Sequence, residues 1–259
     1  MSNLQAISRQ RHASQRWGRY SSYRFAAHDA WSILTAQELP KAMLHLPIAF
    51  TERNGVFVPV ALLGLNPGKN LFVTREGRWV GGYIPASYRH YPFVLANTNE
   101  GRHVLCFNED SGLLASTDGE LFFGPDDQPS PAVAEVLTFL NQLAANHQVT
   151  ERACAVLQKH NLIQPWAIKI QDPNGEQGVD GLFQIDEVAL NQLPAEALIE
   201  LRNASALVLA YCQLLSKQHL PSLGHLVEAH AKADAPLSLK NKNELDLSFL
   251  EGSETLKFF

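Results

Sequence analysis

Residues 52–68 read Glu52-Arg-Asn-Gly-Val-Phe-Val-Pro-Val-Ala-Leu-Leu-Gly-Leu-Asn-Pro-Gly68. Val56, Val58, Val60 and Leu62 alternate with Phe57, Pro59, Ala61 and Leu63, and both sets are largely apolar. Successive side chains of a strand point to opposite faces, so the pattern describes a strand covered on both sides. Residues 52–55 and 66–68 are turn chemistry, because Asn, Gly and Pro supply the dihedrals that end a strand. Further β-rich pieces lie at 71–74, 78–84, 91–96 and 103–107, punctuated by Gly77, Gly81-Gly82, Pro85, Pro92 and Ser111-Gly112. Short strands with close turns predict a hairpin-linked, mostly antiparallel sheet built from residues 45–110.

The period changes near residue 130. Ser130 is placed to cap a helix with Pro131 at its first position, and Val133, Val136, Leu137, Leu140 and Leu143 recur at helical spacing. Thr150 is read as the cap of a second helix carrying Cys154, Val156 and Leu157 on one face. Residues 162–170 and 181–185 read as strands across the turn-rich 172–175. Helices return at 194–201, 204–216 and 221–233. Leu245, Leu247 and Phe249 alternate in the tail, so 245–259 is read as a strand returning to the sheet. The expected class is α+β, with a mostly antiparallel sheet from the first half and helices packed on it from the second. The expected organisation is a basic N-terminal arm, residues 1–22, followed by one domain over 23–259.

Charge and cysteine usage narrow the function classes. The 259 residues hold 21 Lys+Arg against 26 Asp+Glu, a net charge of −5, which argues against a general nucleic-acid binder. The longest apolar run, 203–216, is well short of the about 20 residues a membrane span needs. The N-terminus has no apolar signal region, yet Arg9, Arg11, Arg16, Arg19 and Arg24 all precede the first acid, Asp29. A transit peptide or a nucleic-acid arm has that composition; the favoured reading lays the segment over the acid-rich 100–130 of its own domain. Three cysteines, an odd number, suit a reducing compartment, so a soluble cytoplasmic protein is predicted.

The chemical motifs fail one by one. Gly64-Leu-Asn-Pro-Gly68-Lys69-Asn70 has three residues between its glycines where a phosphate loop has four, and Asn70 replaces the hydroxyl residue. The histidines show no zinc spacing, and His225, Glu228 and His230 do not share one helix face. No serine sits in a nucleophile elbow, and Cys106 reads as a buried small hydrophobe. No cofactor and no metal are predicted. The informative stretch is 71–93, where Phe72, Trp79, Tyr83, Tyr88, Tyr91 and Phe93 interleave with Arg75, Arg78, Arg89 and His90. Aromatic faces with guanidinium groups stack on and bond planar or anionic partners, although aromatics also fill sheet cores. The candidate binding surface is Arg78, Trp79, Tyr83, Arg89 and Tyr91, with Gly81 leaving room between the two aromatics of one strand face.

The same stretch carries a family resemblance. Pro47-Ile-Ala-Phe50, Ala61-Leu-Leu-Gly64-Leu65, Asn70-Leu-Phe-Val73, Gly77-Arg-Trp79, Tyr83-Ile-Pro-Ala86 and Arg89-His-Tyr-Pro-Phe93 resemble the bacterial SapC family. Gly119-Glu-Leu-Phe122, Gly181-Leu-Phe183, the 207–223 segment with Ser216, and Leu245-Asp-Leu-Ser-Phe249 continue it, while His90 stands where such proteins often have a second Arg. The resemblance implies an association with bacterial surface layers. It also implies partners among halogenase-like flavoproteins, cupin-like proteins and TonB-dependent receptor systems. It is not the peptide-transporter permease of the same name, which the hydropathy excludes. Two function classes follow. One is a non-catalytic accessory protein that binds through the aromatic–Arg segment. The other is an oxygenase- or hydrolase-like enzyme, acting on a peptide or sugar, with a site assembled from separate strands.

Overall fold

The computed structural model describes residues 3–97, 103–172 and 175–234. Among these, the strands of the first half are β1 (Leu4–Ala6), β2 (Arg16–Trp17), β3 (Trp31–Ile33), β4 (Ile48–Arg53), β5 (Val56–Leu62), β6 (Phe93–Asn97), β7 (His103–Asn108), β8 (Leu114–Ala115) and β9 (Glu120–Leu121). The second half adds β10 (Ile163–Pro165), β11 (Ile168–Asp172), β12 (Gly175–Val179) and β13 (Phe183–Ile185). Three one-turn helices come first: α1 (Arg9–His12), α2 (Leu39–Ala42) and α3 (Ala86–Arg89). The larger helical part is α4 (Pro131–Lys159), α5 (Glu187–Asn191), α6 (Ala195–Asn203), α7 (Ala206–Ser216) and α8 (Leu220–Asp234). The paired strands are antiparallel throughout the described residues, and the class is α+β.

The opening stretch forms β5, flanked by β4 and β3 in a five-stranded sheet of order β10-β13-β4-β5-β3. Asn54 (φ 52°) and Gly55 (φ 80°) join β4 to β5, both left-handed as a two-residue hairpin turn requires. Val60, Ala61 and Leu63 are fully buried, so β5 is covered on both faces. The sheet does not stop at residues 45–110. β3 precedes that span, and β10 and β13, which lie inside the expected strand segments 162–170 and 181–185, join the sheet from beyond α4.

Between β13 and β4 the ladder is a single pair, Phe183 with Phe50. Helix α7 fills the opening. Gln213 Oε1 accepts from Ile185 N at 3.0 Å, and its Nε2 donates to Ile48 O at 3.2 Å. Ser216 Oγ accepts from Ile48 N at 3.0 Å. All three groups would otherwise be buried polar atoms without partners.

A second layer holds β1-β7-β6 and β8-β2-β9 around Trp17, Phe93, Phe107, Phe122, Val133 and Leu140. Helix α4 joins the layers. Its 29 residues, about 43 Å at 1.5 Å per residue, put Val133 and Leu140 in this cluster and Ala153, Cys154 and Leu157 in the main core. Ser130 Oγ accepts from Val133 N at 3.3 Å, the expected cap. Thr150 starts no second helix: its hydroxyl donates to Asn146 O within α4 and accepts from Ala36 N at 2.8 Å, so the helix runs through. The basic N-terminal segment lies on the acids of 100–130. Arg11 pairs with Glu109 at 2.6 Å, Arg9 with Asp127, and Arg16 donates to Gly119 O at 2.9 Å, while β1 and β2 add strands to the layer.

Residues 71–74 and 78–84 are not strands. One bridge, Val73 with Trp79, is all the pairing there. A Cβ on Gly81 would lie 2.8 Å from the Phe72 ring and one on Gly82 2.4 Å from the His45 ring, so the backbone here packs against rings instead of a neighbouring strand. Residues 245–259 lie outside the described part. No single helix among the described residues is long and apolar enough to cross a membrane.

Burial holds His12, His90 and His147 below the ordinary imidazole pKa. The unfolded chain therefore takes up these protons first, and stability falls as pH drops through about 6.5 toward the lower folded values. Thermal melting at pH 7.5 and 5.5 should show a lower Tm at 5.5; an equal or higher Tm at 5.5 refutes this reading of the three histidines.

Candidate functional site

Thr35-Ala-Gln-Glu38 opens α2 with the Thr-x-x-Glu spacing of a capping box. Thr35 N and Oγ1 both donate to Glu38 Oε2 at 2.9 Å. The other oxygen, Oε1, accepts from Ala86 N at 2.7 Å and from the Tyr83 hydroxyl at 3.1 Å. One buried carboxylate thus ties the start of α2 to the start of α3, and all four donors are satisfied at once. Burial first, and the Glu38 charge second, push the Tyr83 hydroxyl up to about 12.

Above this floor opens a pocket of about 340 Å3. Lys41 of α2 and Arg89 of α3, both exposed, line it together with Phe139, Gln142 and Asn146 of α4. Arg89 is held by bonds from Nε and one terminal nitrogen to Ile84 O, at 3.1 and 2.8 Å, and its guanidinium lies 5.1 Å from the centre of the Tyr83 ring. Among the described residues neither Lys41 nor Arg89 enters an ion pair. The lining thus holds two cations and a carboxylate whose acceptor positions are taken.

The structure divides the five residues of the candidate surface. Tyr83 and Arg89 line this pocket, and Arg89 with Tyr91 lines the adjoining one of about 300 Å3, beside Arg19, Tyr20 and Tyr23. Tyr91 stacks flat on Phe25, rings 3.8 Å apart and 4° from parallel. Trp79 is half-buried scaffold: it stacks on Phe72 at 5.5 Å, and its indole N–H donates to Tyr83 O at 3.0 Å. Arg78 is exposed in the 74–78 turn and lines neither pocket. The strand face that would have set Trp79 beside Tyr83 does not exist, and the space at Gly81 is filled by Phe72 and Trp79 themselves. Trp79→Ala should therefore cost about 3 kcal/mol of stability, the low end for losing a large aromatic, by chemical denaturation. A variant as stable as the parent would put the indole back among surface residues.

Glu38, Lys41, Gln142 and Asn146 were not legible as a site. Glu38 carried a signal in the capping-box spacing; the other three look like the polar face of any helix. The remaining candidates are structural. All three cysteines are buried, with the Cys154 thiol pushed up to about 12 and those of Cys106 and Cys212 also raised by burial. Such thiols stay protonated and are poor nucleophiles. The 64–70 loop curls so tightly that a Cβ on Gly64 would lie 1.9 Å from Lys69 O, and buried Asn70 pins it through Ala26 O and Phe72 N, both at 2.9 Å. It is a turn and leads into no helix.

The fold and pocket define an α+β protein with a cation-lined polar pocket between α2, α3 and α4. The SapC family model matches residues 7–223, and the chain belongs to the SapC family. The match spans every residue of the pocket. No curated protein and no solved structure matches the chain.

Proposed function

We propose that the protein is a non-catalytic, cytoplasmic accessory protein whose Lys41–Arg89 pocket takes up a carboxylate-bearing segment of a partner protein. The observation that carries this is the state of Glu38: four donors already occupy its oxygens, so no lone pair is left to abstract a proton or to bond Lys41 or Arg89 directly. Tyr83, pushed up to about 12, is equally unsuited to acid–base work near neutral pH. What is left in the lining is an ammonium, a guanidinium and the amides of Gln142 and Asn146, which suit a carboxylate through charge-assisted hydrogen bonds. The partner classes are those the family resemblance suggests: halogenase-like flavoproteins, cupin-like proteins and TonB-dependent receptor systems.

Fluorescence anisotropy with a labelled hexaglutamate peptide tests it. Saturable binding should weaken about 10-fold in Arg89→Ala, comparably in Lys41→Ala, and further as salt rises. Absence of saturation, or an affinity in both variants unchanged from the parent, refutes the assignment.

A further inference from the structure

The five-stranded sheet ends in β10 on one side and β3 on the other, and the two edges differ. β10 closes on Pro165, which has no N–H to offer a further strand. β3 is open. Leu63 N donates to Ala30 O at 2.8 Å and Leu34 N to Pro59 O at 2.9 Å, so residues 30, 32 and 34 turn their backbone groups toward β5. Alternation then turns the N–H and C=O of Trp31 and Ile33 outward, and among the described residues these four groups have no hydrogen-bond partner. A groove of about 460 Å3 follows this edge: six consecutive residues, 28–33, line it together with Ser87 and Tyr88 of α3. Such an edge is a template for one more strand.

The chain carries a segment of matching pattern. Leu245-Asp246-Leu247-Ser248-Phe249 alternates apolar and polar. β3 reads Trp31-Ser32-Ile33, with Trp31 and Ile33 on one face and Ser32 on the other, its Oγ 2.6 Å from Ser87 Oγ. Residues directly opposite each other in a ladder share a face. Pairing odd positions with odd ones therefore sets the leucines beside Trp31 and Ile33, and Asp246 and Ser248 beside the hydroxyls. A slip of one residue would set the Asp246 carboxylate against Trp31 and a leucine against the serines, so the pattern selects the register.

The segment also reaches. His230 of α8 donates from Nε2 to Leu71 O at 3.0 Å, Leu71 N donates to Leu63 O at 2.7 Å, and Leu63 N to Ala30 O. α8 thus passes within roughly 15 Å of the start of β3, at about 4.8 Å per neighbouring backbone. The ten residues 235–244 between α8 and Leu245 extend up to about 33 Å.

We propose that residues 245–249 pair with β3 as a sixth strand of the main sheet and fill the groove along it. Leu247, at the middle of the segment, exchanges backbone bonds with Trp31 or Ile33. This contact is separate from the Lys41–Arg89 pocket and does not depend on it.

Residue-resolved amide hydrogen exchange of the full chain tests it. The Trp31 and Ile33 amides should exchange at least about 100-fold slower than unprotected amides. Leu247→Pro removes the N–H at the centre of the pairing and should speed both about 10-fold or more, while the Ser32 amide, which faces β5, keeps its rate. If the proline variant misfolds, a nitroxide on Phe249→Cys gives an independent reading, because the three native thiols are buried: the Trp31 and Ile33 signals should broaden. Unprotected Trp31 and Ile33 amides in the parent, rates unchanged in a folded Leu247→Pro, or no broadening from the nitroxide overturns the proposal. So does protection that is lost on dilution, which would give the edge to a second copy of the chain.

Discussion

Gln213→Leu should lower the free energy of unfolding by about 4 kcal/mol, with the loss read as an earlier midpoint in urea. Leucine fills a similar volume, so packing changes little. What changes is pairing: Ile185 N–H and Ile48 C=O lose their partner where β13 and β4 share only one register pair. Each buried group left unmatched costs about 1–3 kcal/mol, and two are orphaned together. The main sheet would also loosen at that seam, separating β10 and β13 from β4. A loss below about 1 kcal/mol would show that the two strands hold each other without the helix.

Glu38→Ala should cost a similar amount, about 4 kcal/mol, because two backbone donors (Thr35 N–H and Ala86 N–H) and two hydroxyls lose their acceptor inside the protein. Glu38→Gln makes the finer test. Its single carbonyl can serve one side only, and its amide then faces a backbone N–H on the other. Rotation of the Thr35 or Tyr83 hydroxyl relieves part of that clash, so about half the loss is expected. Peptide binding should fall in both variants, since Tyr83 and Arg89 are seated on the segment that Glu38 anchors. A Glu38→Gln protein as stable as the parent would mean that the carboxylate is not the tie between α2 and α3.

Residues 56–62 declared themselves because seven consecutive positions are apolar enough for a strand buried on both faces, and Asn54-Gly55 supplies the hairpin. Helix α4 was half legible. Ser130-Pro131 marks its start in the sequence, but nothing local says that Thr150 points its hydroxyl back at Asn146 and lets the helix continue. Strands β10 and β13 fall inside 162–170 and 181–185, which read as strands, but their place in the main sheet, like the whole of β3, is set by neighbours far away in the chain, which no local period records. At 71–84 composition misled: the aromatics pack as in a core, but Gly81 and Gly82 let the backbone lie against the rings of Phe72 and His45 rather than extend. The candidate pocket is legible from one side only. Tyr83 and Arg89 belong to the aromatic–Arg stretch, whereas Gln142 and Asn146 become part of a pocket only once α4 crosses α2 and α3.

The most direct measurement is amide and arginine side-chain chemical-shift mapping of the full chain titrated with hexaglutamate. Binding at the proposed pocket predicts shifts concentrated at Lys41, Arg89, Gln142 and Asn146, with Arg53 and Arg75 unmoved. Shifts centred on Arg75 and Arg78, or spread evenly over the basic residues, would contradict it.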